Sequence, residues 1–342
     1  MPAEPTRDSH GVPGVPGVHG NPGHTLVLSR ADVEDLLDMR QAMRVTEDAL
    51  REQAAGLVVA QAPTHLDVGA GALRVVSGAL TRSGRMGLRA SGAQALASDN
   101  GAALLFDSGT GALLSVLAYP FARLRTGAMF GLATEVLAAP DARRLAMVGT
   151  GRNALGLVQA ASLVREIEHV RVYGRDEERR ARFAAAVTEE LGIAAEASDS
   201  LQGATRDAEI VYVSTSSKRP VLHHGDITPG AFVAGMGTPC EFGEDLYLAA
   251  GQVVVTAVEH ERHFTEVWRD GSMHSTLVDL DRTGKLPWSS VLELGAVITD
   301  KRHCEGTTVF RESSGGYGDI AFAAWVYARA RETGRGTEVA FT

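Results

Sequence analysis

Apolar positions along the chain change period several times, and each change marks an element. Residues 1–24 carry GVPGVPGVHGNPGH after a polar start, too rich in Gly and Pro to pack a core, so they read as a disordered tail. Ordered sequence is expected from about Leu26, with Ser29 placed to cap a helix and Asp32 in the following turn. Residues 39–53 alternate apolar and charged positions at helical period, and Gly56 ends that helix. Between residues 73 and 116 the pattern becomes short apolar runs (LRVVSGAL, MGLRAS, AALLF, ALLSVLA) broken by Gly, Ser, Asp and Asn. That predicts an antiparallel sheet, with DSGTG at 107–111 as a hairpin turn.

From residue 126 the rhythm changes to helix, then strand and helix in alternation. A helix over 126–137 is followed by strands at 145–148, 170–173, 210–214, 232–236 and 253–258, with helices at 153–165 and 176–191. Strands separated by helices imply right-handed βαβ units and a parallel sheet. An Ala-rich helix over 320–331 comes after those units are complete and is expected to return to the N-terminal part. The reading is an α/β protein: a Rossmann-type doubly wound sheet over 126–311, and a second α+β domain from 25–125 together with 312–342.

The strongest chemical signal lies at the first strand–helix junction of the parallel part. Gly149-Thr150-Gly151-Arg152-Asn153-Ala154 follows LAMV and opens a helix. Gly149 permits the tight turn, Gly151 lets backbone approach a pyrophosphate, and Ala154 lets the helix pack on the strand. The anion would sit on the unpaired N–H groups of the helix N-terminus. The next strand runs into Gly174-Arg175-Asp176. A cation at that tip suits a 2′-phosphate, which favours NADP(H) over NAD(H); the alternative is that Arg175 is a solvated loop residue and Asp176 holds the ribose.

Composition narrows the field. A net charge of −9 without a Lys/Arg-dense run makes nucleic acid or an anionic membrane a poor partner. No apolar run reaches membrane-spanning length, and the N-terminus lacks the basic and apolar regions of a signal peptide. The two cysteines, Cys240 and Cys304, form neither a metal spacing nor a disulfide framework, so a reducing cytoplasm is expected. His260-Glu261-Arg262-His263 lacks metalloprotease spacing and reads as a solvated loop; His223-His224 reads as exposed. Cys240 has no neighbouring histidine to make it a nucleophile, and neither a GxSxG elbow nor a P-loop lysine occurs.

The stretches LRVVSGAL (73–80), GLRAS (87–91), LLFDSGTGALLSVL (104–117), LRTGA (124–128), GTGRNA (149–154), VRVYGRDEER (170–179), ITPGAFVAGMG (227–237) and TTVFRESSGG (307–316) together resemble the ornithine cyclodeaminase/mu-crystallin family. The resemblance implies a two-domain homodimer that binds NAD(H) or NADP(H) and acts on a small amino or imino acid, with hydride moving to or from the carbon that bears nitrogen. It implies that Arg125 of LRTGA approaches the substrate carboxylate and the nicotinamide, and that Ser98, Asp99, Ser214 and Thr215 lie along the cofactor; for these four a strand-end cap is the alternative.

Departures from the family pattern bear on activity. Arg89 replaces the GLK-type lysine and cannot act as a base, although it can grip a carboxylate. Pro63 stands where a PPR-type arginine is usual, and Asn153 where the phosphate loop often has Gln. Pro239 holds the place of the cyclodeaminase aspartate, and the nearest carboxylate is Glu241, either catalytic or an exposed loop acid. A clamp from Arg125 and Arg89 without that aspartate favours an imine reductase or amino acid dehydrogenase. An ornithine or lysine cyclodeaminase, and a weakly catalytic NADPH-binding protein, are the alternatives.

Overall fold

The computed structural model describes residues 23–68, 71–93, 101–267, 275–302, 306–313 and 315–341. Most of the expected tail lies outside them, and its last residue, His24, opens the first strand. The N-terminal part runs β1 (His24–Leu28), α1 (Arg30–Val33), α2 (Met39–Ala54), β2 (Val58–Ala60), β3 (Thr64–Asp67), β4 (Ala72–Leu80), β5 (Arg85–Ala93), β6 (Gly101–Asp107) and β7 (Leu113–Ala118). Ser29 caps α1 in a capping box with Asp32, and Asp38 does the same for α2 with Gln41. The β6–β7 turn is tied by Asp107, whose Oδ1 accepts from the Gly109 and Thr110 amides at 3.1 and 2.9 Å.

The chain then forms α3 (Ala122–Leu137), β8 (Arg144–Val148), α4 (Ala154–Ser162), β9 (His169–Tyr173), α5 (Glu177–Leu191), β10 (Ala194–Ala197), α6 (Leu201–Thr205), β11 (Ile210–Val213) and β12 (Phe232–Gly235). It continues through α7 (Glu244–Ala249), β13 (Gln252–Val255), α8 (Val258–Val267), α9 (Thr276–Arg282), β14 (Leu292–Glu293), α10 (Leu294–Asp300) and β15 (Thr308–Arg311). It ends with α11 (Gly316–Thr333) and β16 (Thr337–Ala340).

Two sheets result. The first has the order β16-β1-β7-β6-β5-β4-β2, with β3 also on β4, and is antiparallel except for the parallel β1–β7 pair. Helix α11 returns to lie on β4 and β5, and Gly78 on β4 is needed there because a Cβ would sit 2.5 Å from the Tyr317 nitrogen. The second sheet is parallel throughout, ordered β10-β9-β8-β11-β12-β15-β13-β14. The strand order reverses between β8 and β11, which places the binding crevice of a doubly wound sheet at their carboxyl ends. The strands of its middle are buried on both faces: Val211, Val213, Val233 and Val309 belong to one apolar cluster, and Ile210, Tyr212, Phe232 and Phe310 to the other.

Three local expectations change. Helix α3 starts at Ala122, so Arg125 lies in its first turn. Helix α11 starts at Gly316, so Asp319 is helical. The stretch 260–263 lies within helix α8, with Glu261 fully buried. The sequence there has no apolar stripe; what buries Glu261 is an ion pair with Arg311 at 2.9 Å. No helix among the described residues is long and apolar enough to cross a membrane.

Candidate active site

At the switch point an open cleft of about 1020 Å³ is lined by Gly149–Gly151, Tyr173–Asp176, Arg179, Ser214–Ser217, Met236 and Gly237. The backbone at Gly149 has φ +105°, and a Cβ there would collide with the Ser214 carbonyl oxygen. The Gly149 amide donates to the Tyr173 carbonyl at 2.8 Å, which pins the loop to the neighbouring strand. At Gly151 a Cβ would meet nothing within 4 Å, so that position faces open space on the ligand side. Ala154 is buried, and the Asn153 amide group lies 3.8 Å from Met236 Sδ. Arg152 is exposed beside the turn. A glycine cradle facing open space at the head of helix α4 fits a dinucleotide pyrophosphate.

The tip of β9 sets the other end of the cleft. The Asp176 Oδ1 is spent on capping α5, accepting from the Arg179 amide at 2.9 Å. Arg175 and Arg179 are both exposed and both line the cleft. Arg179 was not anticipated; its spacing of four from Arg175 across the start of a helix was the available signal. Ser214 and Thr215 line the opposite wall, while Ser98 and Asp99 lie outside the described residues.

A second cluster forms where β4, β5, α3, β15 and α11 converge. Asp319 is buried, accepting from the Tyr119 hydroxyl at 2.8 Å and from Arg89 Nε at 3.0 Å, with Arg125 Nε at 3.4 Å. Arg125 also pairs with Glu312 at 3.5 Å, and the Arg89 guanidinium lies 5.4 Å from the centre of the Tyr119 ring. Burial works against the Asp319 carboxylate, yet Arg125, Arg89 and the Tyr119 hydroxyl outweigh it and hold its pKa below the usual range. For Arg125, burial opposes the charge, while Asp319 and Glu312 overcome it and raise its pKa. The Glu312 amide donates to the Gly235 carbonyl at 2.8 Å, one residue before Met236 of the switch-point cleft. The two halves of the site thus meet at the end of β12. Sequence reasoning picked Arg89 and Arg125 and missed Asp319, Tyr119, Glu312 and Arg74; an acid inside the otherwise apolar first turns of α11 was the visible clue.

Glu241 is not an exposed acid. It is fully buried, its Oε1 accepting from the Gly237 amide at 2.8 Å and lying 3.3 Å from Arg311 Nη1. Burial raises its pKa to about 7, against the opposing pull of Arg311, Gly237 and Thr215. The carboxyl braces the loops after β11 and β12 from beneath the cleft, because β15 ends on a fully buried arginine that needs acidic partners. Cys240 is buried beside Thr238, and His223 is exposed and pairs with Asp245 at 2.9 Å. No metal-binding group of residues occurs among the described residues.

The family model of the ornithine cyclodeaminase/mu-crystallin family matches residues 23–334. The chain belongs to that family. It is 30% identical over 261 residues to a Delta(1)-pyrroline-2-carboxylate reductase of Bacillus thuringiensis subsp. konkukian, covering 71% of this chain and 74% of the relative. The same overall fold is seen in the Thermococcus litoralis Delta(1)-pyrroline-2-carboxylate reductase in complex with NADH and L-proline, with a TM-score of 0.81 at 24% identity, covering 92% of this chain and all of that one. An archaeal alanine dehydrogenase dimer with bound NAD also scores 0.81 at 24% identity, over 93% of this chain and 100% of that one.

Proposed function

We propose that this protein is an NAD(P)H-dependent reductase of a small α-imino acid. The coarse class, an oxidoreductase acting on carbon–nitrogen bonds, agrees with the names of its relatives. The observation that carries the reading is the junction itself: a glycine-cradled cleft and a buried arginine–carboxylate cluster, joined through the Glu312–Gly235 hydrogen bond. A reduced nicotinamide, when bound, supplies a hydride. The protein's own part is to orient the two reactants. Arg125, fixed between Asp319 and Glu312, stands at the cluster's edge toward the β12 terminus and orients the imino acid. The Gly149 loop and the Ser214–Thr215 turn hold the dinucleotide end. A protonated imine needs only hydride at carbon, since nitrogen already carries the proton of the product amine.

NADP(H) is the preferred cofactor in this reading, with NAD(H) accepted more weakly. Arg175 and Arg179 flank the tip of β9, and capping engages one oxygen of Asp176, the only carboxylate among the described residues that line the cleft. Pro239 leaves the usual acid position without an ionisable group, and Glu241 is locked to Arg311, so ornithine cyclisation is disfavoured. A homodimer is the expected assembly, with the exposed Val59, Leu66, Val68 and Leu73, on or beside the edge strands β2 and β3 and their neighbour β4, offering the apolar surface. The test is NADPH oxidation by the purified protein with a panel of cyclic imino acids, with NADH in parallel and ornithine as the control. Turnover of ornithine with only catalytic amounts of cofactor, and none of the imines, would overturn the reading.

A further inference from the structure

The clamp expected from Arg125 and Arg89 is already engaged. Asp319 holds both guanidiniums and Glu312 holds one. A third arginine lies in the same cluster. Arg74 on β4 is opposite Ser91 on β5, two residues from Arg89, so both arginines project from one face of the sheet. Arg89 Nη1 donates to the Ser91 hydroxyl at 3.2 Å, which places that face beside Arg74. Arg74 is half-buried, its Nε is shielded from solvent without a hydrogen-bond partner, and it makes no ion pair among the described residues. Burial first, then the Arg89 and Arg125 charges, push its pKa down, and Asp319 and Glu312 push back. Arginine stays protonated under such pressure, so the guanidinium remains a cation short of an anion.

The charges can be counted. Among the described residues that act on Arg74, Arg74, Arg89 and Arg125 bring three positive charges and Asp319 and Glu312 two negative ones, one positive charge in excess. A half-buried cation without a counter-ion costs stability unless an anion arrives. We propose that Arg74 is the receptor for the substrate's carboxylate, and that Arg89 and Arg125 act as its pre-organised surroundings. The substrate is then a monocarboxylate at this end, because one negative charge balances the excess among the described residues. This rests on the imino-acid reading of the site and names its carboxylate contact. The sequence places Arg74 inside LRVVSGAL, one strand away from the turn at Pro63.

The experiment compares the wild type with Arg74→Gln and Arg74→Lys, each saturated with NADP⁺. Calorimetry follows the binding of a planar analogue, pyrrole-2-carboxylate, and of its neutral partner pyrrole-2-carboxamide. Losing one partner of a buried charge pair weakens binding by about 30-fold or more. Arg74→Gln is expected to lose that much carboxylate affinity, to leave carboxamide affinity within about threefold, and to leave NADP⁺ affinity unchanged. Arg74→Lys is expected to recover part of the loss, since a point charge replaces the two-pronged contact. Melting temperature separates this from a structural role: relieving the repulsion should leave Arg74→Gln as stable as the wild type or more so, whereas a structural arginine would lower it. Unchanged carboxylate affinity in Arg74→Gln with NADP⁺ still bound overturns the proposal while leaving the imine reading intact. A wild type that binds carboxylate no better than carboxamide also overturns it. A wild type that reduces no imine but loses the analogue on Arg74→Gln fails the imine reading alone.

Discussion

Asp319→Asn is the sharpest perturbation of the cluster. The native carboxylate is buried, takes hydrogen bonds of 2.8 Å from Tyr119 and 3.0 Å from Arg89, and lies 3.4 Å from Arg125. Asparagine keeps the shape but removes the charge, so among the described residues Glu312 is the acid left to the three guanidiniums. Breaking a buried ion pair from one side costs about 3–5 kcal/mol. Equilibrium urea denaturation followed by circular dichroism at pH 7 would read the loss. The pH dependence carries a second signature. The folded pKa of Asp319 is depressed, so its contribution is complete above the unfolded value of about 4 and disappears as pH falls through the lower folded value. Asp319→Asn should therefore flatten the acid limb of the stability curve. Adding Arg74→Gln to Asp319→Asn should return part of the lost stability, because it removes one of the unbalanced cations. A loss below about 1 kcal/mol, or an unaltered acid limb, would refute the claim that Asp319 organises the arginines.

Three further outcomes are expected. Gly149→Ala should abolish dinucleotide binding, measured by NADPH fluorescence, because φ is +105° and the added carbon would collide with the Ser214 carbonyl; the fold should survive. Arg175→Ala should weaken NADPH by about 10- to 100-fold and leave NADH nearly unchanged, read as the ratio of the two KM values; equal losses would remove the 2′-phosphate assignment. Glu241 has a folded pKa raised to about 7, so its contribution is present at low pH and is lost as pH rises from the unfolded value toward 7. Glu241→Gln can still accept from Gly237, and should flatten stability against pH over that window; a variant with the wild-type slope would place the titration elsewhere.

Much of the lining of the switch-point cleft was legible because its logic is local. Gly149, Gly151 and Ala154 stand within six residues, each required by the turn or the packing it serves. The arginine cluster is not local: Arg89 and Asp319 meet from positions 230 apart, and only the return of α11 to β4 and β5 joins them. Arg125 and Arg89 were visible as residue types, but their acidic partners were not, so the sequence alone credits both with more freedom than they have. Glu261 misled in the opposite direction. A charged run without apolar period reads as solvated, and only Arg311, fifty residues on, draws it into the core. Glu241 was misjudged for the same reason, since its burial depends on the arginine that ends β15. Ser98 and Asp99 lie outside the described residues, so the expectation for them stands as it was.

The most direct test of imine reduction is steady-state NADPH oxidation with Δ1-pyrroline-2-carboxylate, for the wild type and Arg125→Ala side by side. The proposed function predicts NADPH consumption with stoichiometric proline formation, lost by at least about 100-fold in kcat/KM when Arg125 is removed, while NADPH still binds. NADPH bound tightly by the wild type, with no consumption on this or any other cyclic imino acid, would contradict the assignment.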